Sequence, residues 1–162
     1  MKFDPLAILQ VLDSSEVDFV VIGGIAAAAH GSPSVTQDLD VCHSREKENL
    51  ERLATTLLEM KARLRGAAKD VPFLLDAKTL EMGDHFTFST IHGDFDCLGH
   101  PAGSSGYEDL AAGADLIDFD GLRVAVASLD DLIRMKRASA RPKDRAELEI
   151  LGALRSEIER SS

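Results

Sequence analysis

Asp38 and Asp40 stand two residues apart in the run Asp38-Leu39-Asp40-Val41. Alternation along a strand sends both carboxylates out of one face, roughly 7 Å apart along the chain. Paired carboxylates on one face form an oxygen donor set for a hard divalent cation, and a cation so held suits phosphoryl transfer. The residues upstream could hold the phosphate. The apolar run Val17–Ile22 reads as a buried strand, followed by a Gly23-Gly24 turn and an alanine-rich helix over Ile25–His30 that Gly31 ends. Gly24 removes the β-carbon where the chain turns sharply and where a phosphate could approach the backbone. The helix behind the turn points its unpaired N–H groups at the same place, a natural anion site.

This arrangement resembles a known family. Gly23-Gly24, thirteen intervening residues and then Asp-Leu-Asp-Val look like the signature of the polymerase-beta-like nucleotidyltransferase superfamily. The local wording, Gly-Gly-x-Ala, His30-Gly31 and Thr36-x-Asp-Leu-Asp, is similar to small bacterial members, including nucleotidyltransferase toxins of the abortive-infection type. The resemblance implies a nucleotide site that includes Gly23, Gly24 and Thr36, with Asp38 and Asp40 as catalytic metal ligands. It also implies a third carboxylate on a neighbouring strand with apolar residues on either side. Asp96 fits, between Phe95 and Cys97, whereas Asp94 follows Gly93 directly and reads as a turn residue. Such a carboxylate could hold a metal that lowers the pKa of an acceptor hydroxyl, or act as its base. A late motif of these small proteins is matched by Ile-Arg-Met-Lys and then Arg-Pro-Lys-Asp. It carries Lys136, Arg141, Lys143 and Asp144 to the nucleotide site, Lys136 as a point charge on the triphosphate and Asp144 as its holder or Arg141's. Lys136 is expected on the side of its helix opposite Leu132 and Ile133. Relatives often have an arginine near Ser34; here serines occupy that loop, so one phosphate-binding cation is absent from the pattern.

The implied reaction is transfer of a nucleoside monophosphate from an NTP to an acceptor hydroxyl with release of pyrophosphate, aided by Mg²⁺ or Mn²⁺. RNA, a protein or a small molecule such as an aminoglycoside could be the acceptor. The alternative is a catalytically weak nucleotide-binding module, or an antitoxin-like protein whose task is to bind a partner chain.

The remaining elements must position these groups. Asp4 caps and Pro5 opens a first helix with Leu6, Leu9 and Leu12 inward. A long helix is expected from Ser44 to about Arg65, carrying Leu50, Leu53, Leu57 and Leu64 at helical spacing and ended by Gly66. Residues 67–83 give no clear pattern beyond a short edge strand at Val71–Leu75, limited by Pro72. His85–Ile91 alternates as a strand, His92-Gly93 turns, and Phe95–Leu98 returns as its hairpin partner. His100–Gly113 begins as a loop facing the acceptor, with Tyr107 as a packing anchor. Asp120-Gly121 joins strands at Ala114–Phe119 and Leu122–Ala127. Ser128 then caps a helix, and Pro142 introduces a last one from Lys143 to about Arg160.

Length and composition place limits on this reading. A chain of 162 residues suits one domain spanning 1–162, with a real core. The fold class expected is α/β (α+β), a minimal nucleotidyltransferase core with a mixed sheet and helices packed mainly on one face. No run of eighteen apolar residues suggests a membrane partner, and the first residues lack a signal-peptide hydrophobic region. Cys42 and Cys97 read as packing residues in a reducing, cytoplasmic setting rather than a disulfide. The net charge of −10 argues against a broad nucleic-acid footprint, leaving only a local basic cluster between Arg134 and Arg145. His85, His92 and His100 have no recognisable metal spacing.

Overall fold

A computed structural model describes residues 2–66, 75–139 and 144–161. In chain order its elements are α1 (Pro5–Ser14), β1 (Phe19–Ile22), α2 (Gly23–Ala29), β2 (Asp38–His43), α3 (Lys47–Glu59), β3 (Arg63–Leu64) and α4 (Ala77–Met82), and then β4 (His85–Thr90), β5 (Gly93–Leu98), α5 (Tyr107–Gly113), β6 (Asp115–Phe119), β7 (Leu122–Val126), α6 (Leu129–Ser139) and α7 (Asp144–Ser161). The strands form one mixed sheet in the order β3-β4-β5-β2-β1-β7-β6. β2 runs parallel to β5 and β1 parallel to β7, while the other neighbours are antiparallel. This is the mixed α/β architecture that the sequence pattern implied.

Register gives the sheet two unlike faces. Asp38 pairs with Asp94 and Asp40 with Asp96, so four carboxylates leave one face at the sheet centre. The alternate residues Leu39, Val41, Phe95 and Cys97, with Phe88 and Val21, point the other way and are fully buried. They join Ile8, Leu9 and Leu12 of α1 and Leu50, Leu53 and Leu57 of α3 in one continuous core. Each such side chain contributes about 1.5–3 kcal/mol by leaving water. A polar carboxylate face therefore rests on a well-filled apolar one.

Several boundaries differ from expectation, each for a local reason. The first strand begins at Phe19 rather than Val17, after Glu16 turns the chain at φ 59°. α3 stops at Glu59, well short of Arg65. The chain reverses at Met60-Lys61, where Lys61 takes φ 52° and Ala62 N–H returns to Leu57 O at 3.0 Å. Gly66 is not the stop, and Leu64 belongs to β3, which pairs with β4. Gly23 and Gly24 are the first two residues of α2, not a separate turn before it. Asp94 lies on β5, and the positive φ of that hairpin falls on Gly93. α4 was not expected; Asp76 caps it by accepting from Thr79 N–H at 2.8 Å. The proposed strand at 71–75 lies almost wholly outside the described residues, as do Arg141, Pro142 and Lys143.

Candidate active site

The acidic face opens into a cleft of about 710 Å³. Asp38, Asp40 and Asp96 each offer it a carboxylate oxygen, and those three oxygens lie within 4.8 Å of one another. No other such cluster of metal-ligating side chains occurs among the described residues. Asp38 and Asp40 come from alternate positions of β2, and Asp96 from the register partner of Asp40 on β5. Strand pairing alone brings the three together.

Their electrostatics favour a cation. Burial, with Asp38 and Asp96 alongside, pushes the Asp40 carboxyl from 3.8 up to about 8. Burial likewise raises Asp96; the Arg65 guanidinium opposes the rise and Asp38 adds to it. Asp40 Oδ1 is buried without a hydrogen-bond partner. A desolvated carboxylate oxygen without a partner, beside two more carboxylates, fits the all-oxygen coordination of a hard divalent ion. Asp38, Asp40 and Asp96 are thus a chemically suitable ligand set.

Around the triad, each candidate has a definite place. Gly23 has φ 70°, and a β-carbon there would lie 2.3 Å from Asp40 Oδ2. At Gly24 a β-carbon would lie 2.8 Å from Thr36 Cβ and 2.9 Å from its Oγ1. The space beside Gly24 is therefore filled by Thr36, not left open for a phosphate. The two glycines let α2 press onto the residues that hold the carboxylates. Thr36 Oγ1 in turn donates to Asp38 Oδ1 at 3.0 Å, with Asp38 O at 3.2 Å. Ser32 and Ser34 line the same cleft.

Lys136 also lines it, and its ammonium lies 3.3 Å from Asp144 Oδ1 and 2.6 Å from Glu147 Oε2. Asp144 is 1% exposed and accepts from Ser139 Oγ at 2.6 Å. Lys136 does not face away from Leu132 and Ile133. Four residues bring a helix round to nearly the same side, so Leu132, Met135 and Lys136 line the cleft together.

Arg65 was missed by the sequence reading, which placed it at the end of a helix. Its Nη2 lies 3.0 Å from Asp96 Oδ1 and 3.3 Å from Oδ2, and Nη1 lies 3.5 Å from Asp94 Oδ2. The Asp96 Oδ1 contact is an ion pair outside hydrogen-bond geometry, since that oxygen has no hydrogen-bond partner. Asp94 stays out of the metal cluster and also accepts from Ser89 Oγ at 3.4 Å. At the other end of the cleft, His100 Nδ1 meets Asp84 Oδ1 at 2.7 Å beside His85 and Pro101. Burial would raise the Asp84 carboxyl, but the hydrogen bonds from His100 hold it below its ordinary value. His30 Nε2 is 2.9 Å from Ala127 O, tying the end of α2 to the end of β7. Tyr107 opens α5 and packs on the core.

Solved structures share this architecture. A lincosamide antibiotic adenylyltransferase, LnuA with lincomycin bound, aligns over 95% of this chain and 99% of its own at a TM-score of 0.64 and 9% identity. The fold is that of the nucleotidyltransferases. ANT(2")-Ia in complex with adenylyl-2"-tobramycin aligns over 93% of this chain and 94% of its own, with a TM-score of 0.55 and 14% identity. The Thermotoga maritima protein TM1012, provisionally classed as a nucleotidyltransferase, covers 96% of this chain and 91% of its own at a TM-score of 0.54 and 14% identity. No family model and no curated protein matches the sequence itself. At these identities the likeness is one of fold. Among the described residues no helix is long and apolar enough to cross a membrane.

Proposed function

We propose that this chain moves a nucleoside monophosphate from an NTP to a hydroxyl of a small-molecule acceptor, releasing pyrophosphate. The observation that carries the reading is the convergence of Asp38, Asp40 and Asp96 at one end of a cleft that also holds Lys136. Asp38, Asp40 and Asp96 hold a divalent metal, Mg²⁺ or Mn²⁺. Bound there, it supplies charge for the triphosphate and lowers the pKa of an acceptor hydroxyl.

The chain's own groups do the positioning. Thr36 fixes the rotamer of Asp38, and Gly23 leaves room for the Asp40 carboxylate. Lys136, steadied by Asp144 and Glu147, faces the cleft as a compact positive charge for the phosphates. Arg141 and Lys143, from the same late motif, are proposed to add to it. Asp96 serves the attacking hydroxyl either by holding that metal or by accepting the hydroxyl's proton. In-line attack on the α-phosphate then needs orientation and charge rather than a covalent intermediate.

The carboxylate partners of Arg134 and Lys136 favour a small acceptor over RNA. Arg134 is tied to Asp109 and Asp131, each at 3.0 Å, and Lys136 to two carboxylates. Arg134 is thus not free to join a basic track along an RNA backbone. Asp84, His85, His100, Ser32 and Ser34 on the lining of the cleft offer hydrogen-bond partners for a polyhydroxylated molecule. The LnuA and ANT(2")-Ia structures hold lincomycin and adenylyl-2"-tobramycin, small molecules both, which favours the same choice.

The test is label transfer from each α-³²P-NTP with Mg²⁺ to a panel of hydroxylated small molecules, total RNA and cell lysate. Transfer to a small molecule that falls to background in Asp38→Asn is expected. Label that no acceptor takes up, or transfer indifferent to Asp38→Asn, refutes the reading.

A further inference from the structure

Arg65 stands on the edge of the site, its backbone N–H donating to Thr87 O at 2.9 Å and its side-chain Nη1 to Phe88 O at 3.3 Å. From there the guanidinium reaches both oxygens of Asp96. Oδ2 carries the hydrogen bond, and Oδ1, which has none, is the oxygen left for a divalent ion, with Nη2 only 3.0 Å from it. A dication on Oδ1 would face the guanidinium across that one oxygen, and like charges at such range repel. Arg65 has a second anchor ready. Asp94 lies 3.5 Å away on the same strand face, and its side chain is 40% exposed. The guanidinium can leave Asp96 without losing a carboxylate partner, and it lines the cleft together with Gly24 and Lys136.

We propose that Arg65 is a stand-in for the metal. It occupies Asp96 in the metal-free protein, is displaced toward Asp94 when a divalent cation binds, and then contacts the triphosphate of the NTP. The proposal rests on the nucleotidyl-transfer reading, and adds to it a phosphate-binding residue and an order of events. It also predicts that removing a cation tightens metal binding, a result that damage to the fold would not produce.

The experiment titrates the full chain with Mn²⁺ alone, read by electron paramagnetic resonance, and then with ATP at saturating Mn²⁺, read by calorimetry. In Arg65→Gln, Mn²⁺ binds about tenfold tighter and ATP about tenfold weaker, the factor that ~1.4 kcal/mol of interaction gives. Arg65→Lys keeps the charge and stays within about threefold of the parent on both. Unchanged or weaker Mn²⁺ binding in Arg65→Gln, or unchanged ATP binding, overturns the proposal. If that variant fails to fold, the parent chain still decides. With ¹⁵N-labelled arginine the Arg65 side-chain signal must move as Mg²⁺ is added, and a signal unmoved at saturation overturns the proposal. A parent that binds no Mn²⁺ at all overturns the nucleotidyl-transfer reading as well, so the two failures are distinguishable.

Discussion

Asp40→Asn should stabilise the metal-free protein although it destroys the proposed metal site. Burial, Asp38 and Asp96 together push the Asp40 carboxyl from 3.8 up to about 8. A folded-state value above the unfolded one means that the native state holds the proton more tightly. Stability is therefore intact below about pH 4 and falls as pH rises from there to about 8. At pH 7 the cost of keeping Asp40 folded approaches about 4 kcal/mol, at ~1.36 kcal/mol for each tenfold step in acidity. Part of that is shared with Asp96, and an asparagine inherits a position where Oδ1 has no hydrogen-bond partner, which costs about 1 kcal/mol. A net gain of about 2 kcal/mol remains, which corresponds to a rise of about 4–8 °C in Tm for a chain of this size. Scanning calorimetry in EDTA at pH 7 measures it directly. The gap should shrink greatly at pH 4.5, and saturating Mg²⁺ should raise the parent's Tm but not the variant's. If Asp40→Asn melts at or below the parent in EDTA at pH 7, the carboxylates are not in conflict and the argument for a cation there is lost.

The other variants separate positioning from packing. Lys136→Ala removes a phosphate contact worth roughly 1.5–3 kcal/mol, so kcat/KM for NTP should fall about ten- to hundred-fold, and an unchanged rate at limiting NTP would make the late motif purely structural. It should also lower Tm, because Asp144 is 1% exposed and loses a cationic partner. Gly24→Val drives a side chain into Thr36 and should cost about 1–3 kcal/mol while weakening Mn²⁺ binding through Asp38, whereas a parent-like melt and titration would show that Thr36 can yield.

What the sequence made legible was local and periodic. Alternation in Asp38-Leu39-Asp40 and in Phe95-Asp96-Cys97 assigns faces without knowledge of which strands pair, because the strand period is two. The hairpin at Asp120-Gly121 was likewise legible, since its positive φ angles need those residue types. The glycines illustrate the limit. Gly24 was read as an opening for phosphate, yet what its missing β-carbon clears is Thr36, a residue twelve positions away. No local pattern encodes such a contact; it follows from how α2 lies across the end of β2.

Arg65 was illegible for a more instructive reason. Leu50, Leu53, Leu57 and Leu64 keep helical spacing straight through the true end of α3, so the pattern argues for a helix to Gly66. The break comes at Lys61, a residue with no special liking for positive φ, and it is enforced by tertiary structure. Ile91 N–H donates to Met60 O at 3.0 Å, and Arg63 and Leu64 pair with Ser89 and Phe88. Pairing with β4 outweighs one more turn of helix, because those backbone groups gain partners on a sheet edge that would otherwise be bare. The same swap moves Arg65 from a solvated helix end to the rim of the acidic cluster. The sheet extension that the pattern concealed is therefore what brings a cation to Asp96, and a helix continued through Arg65 would have taken that counter-charge away in the metal-free protein.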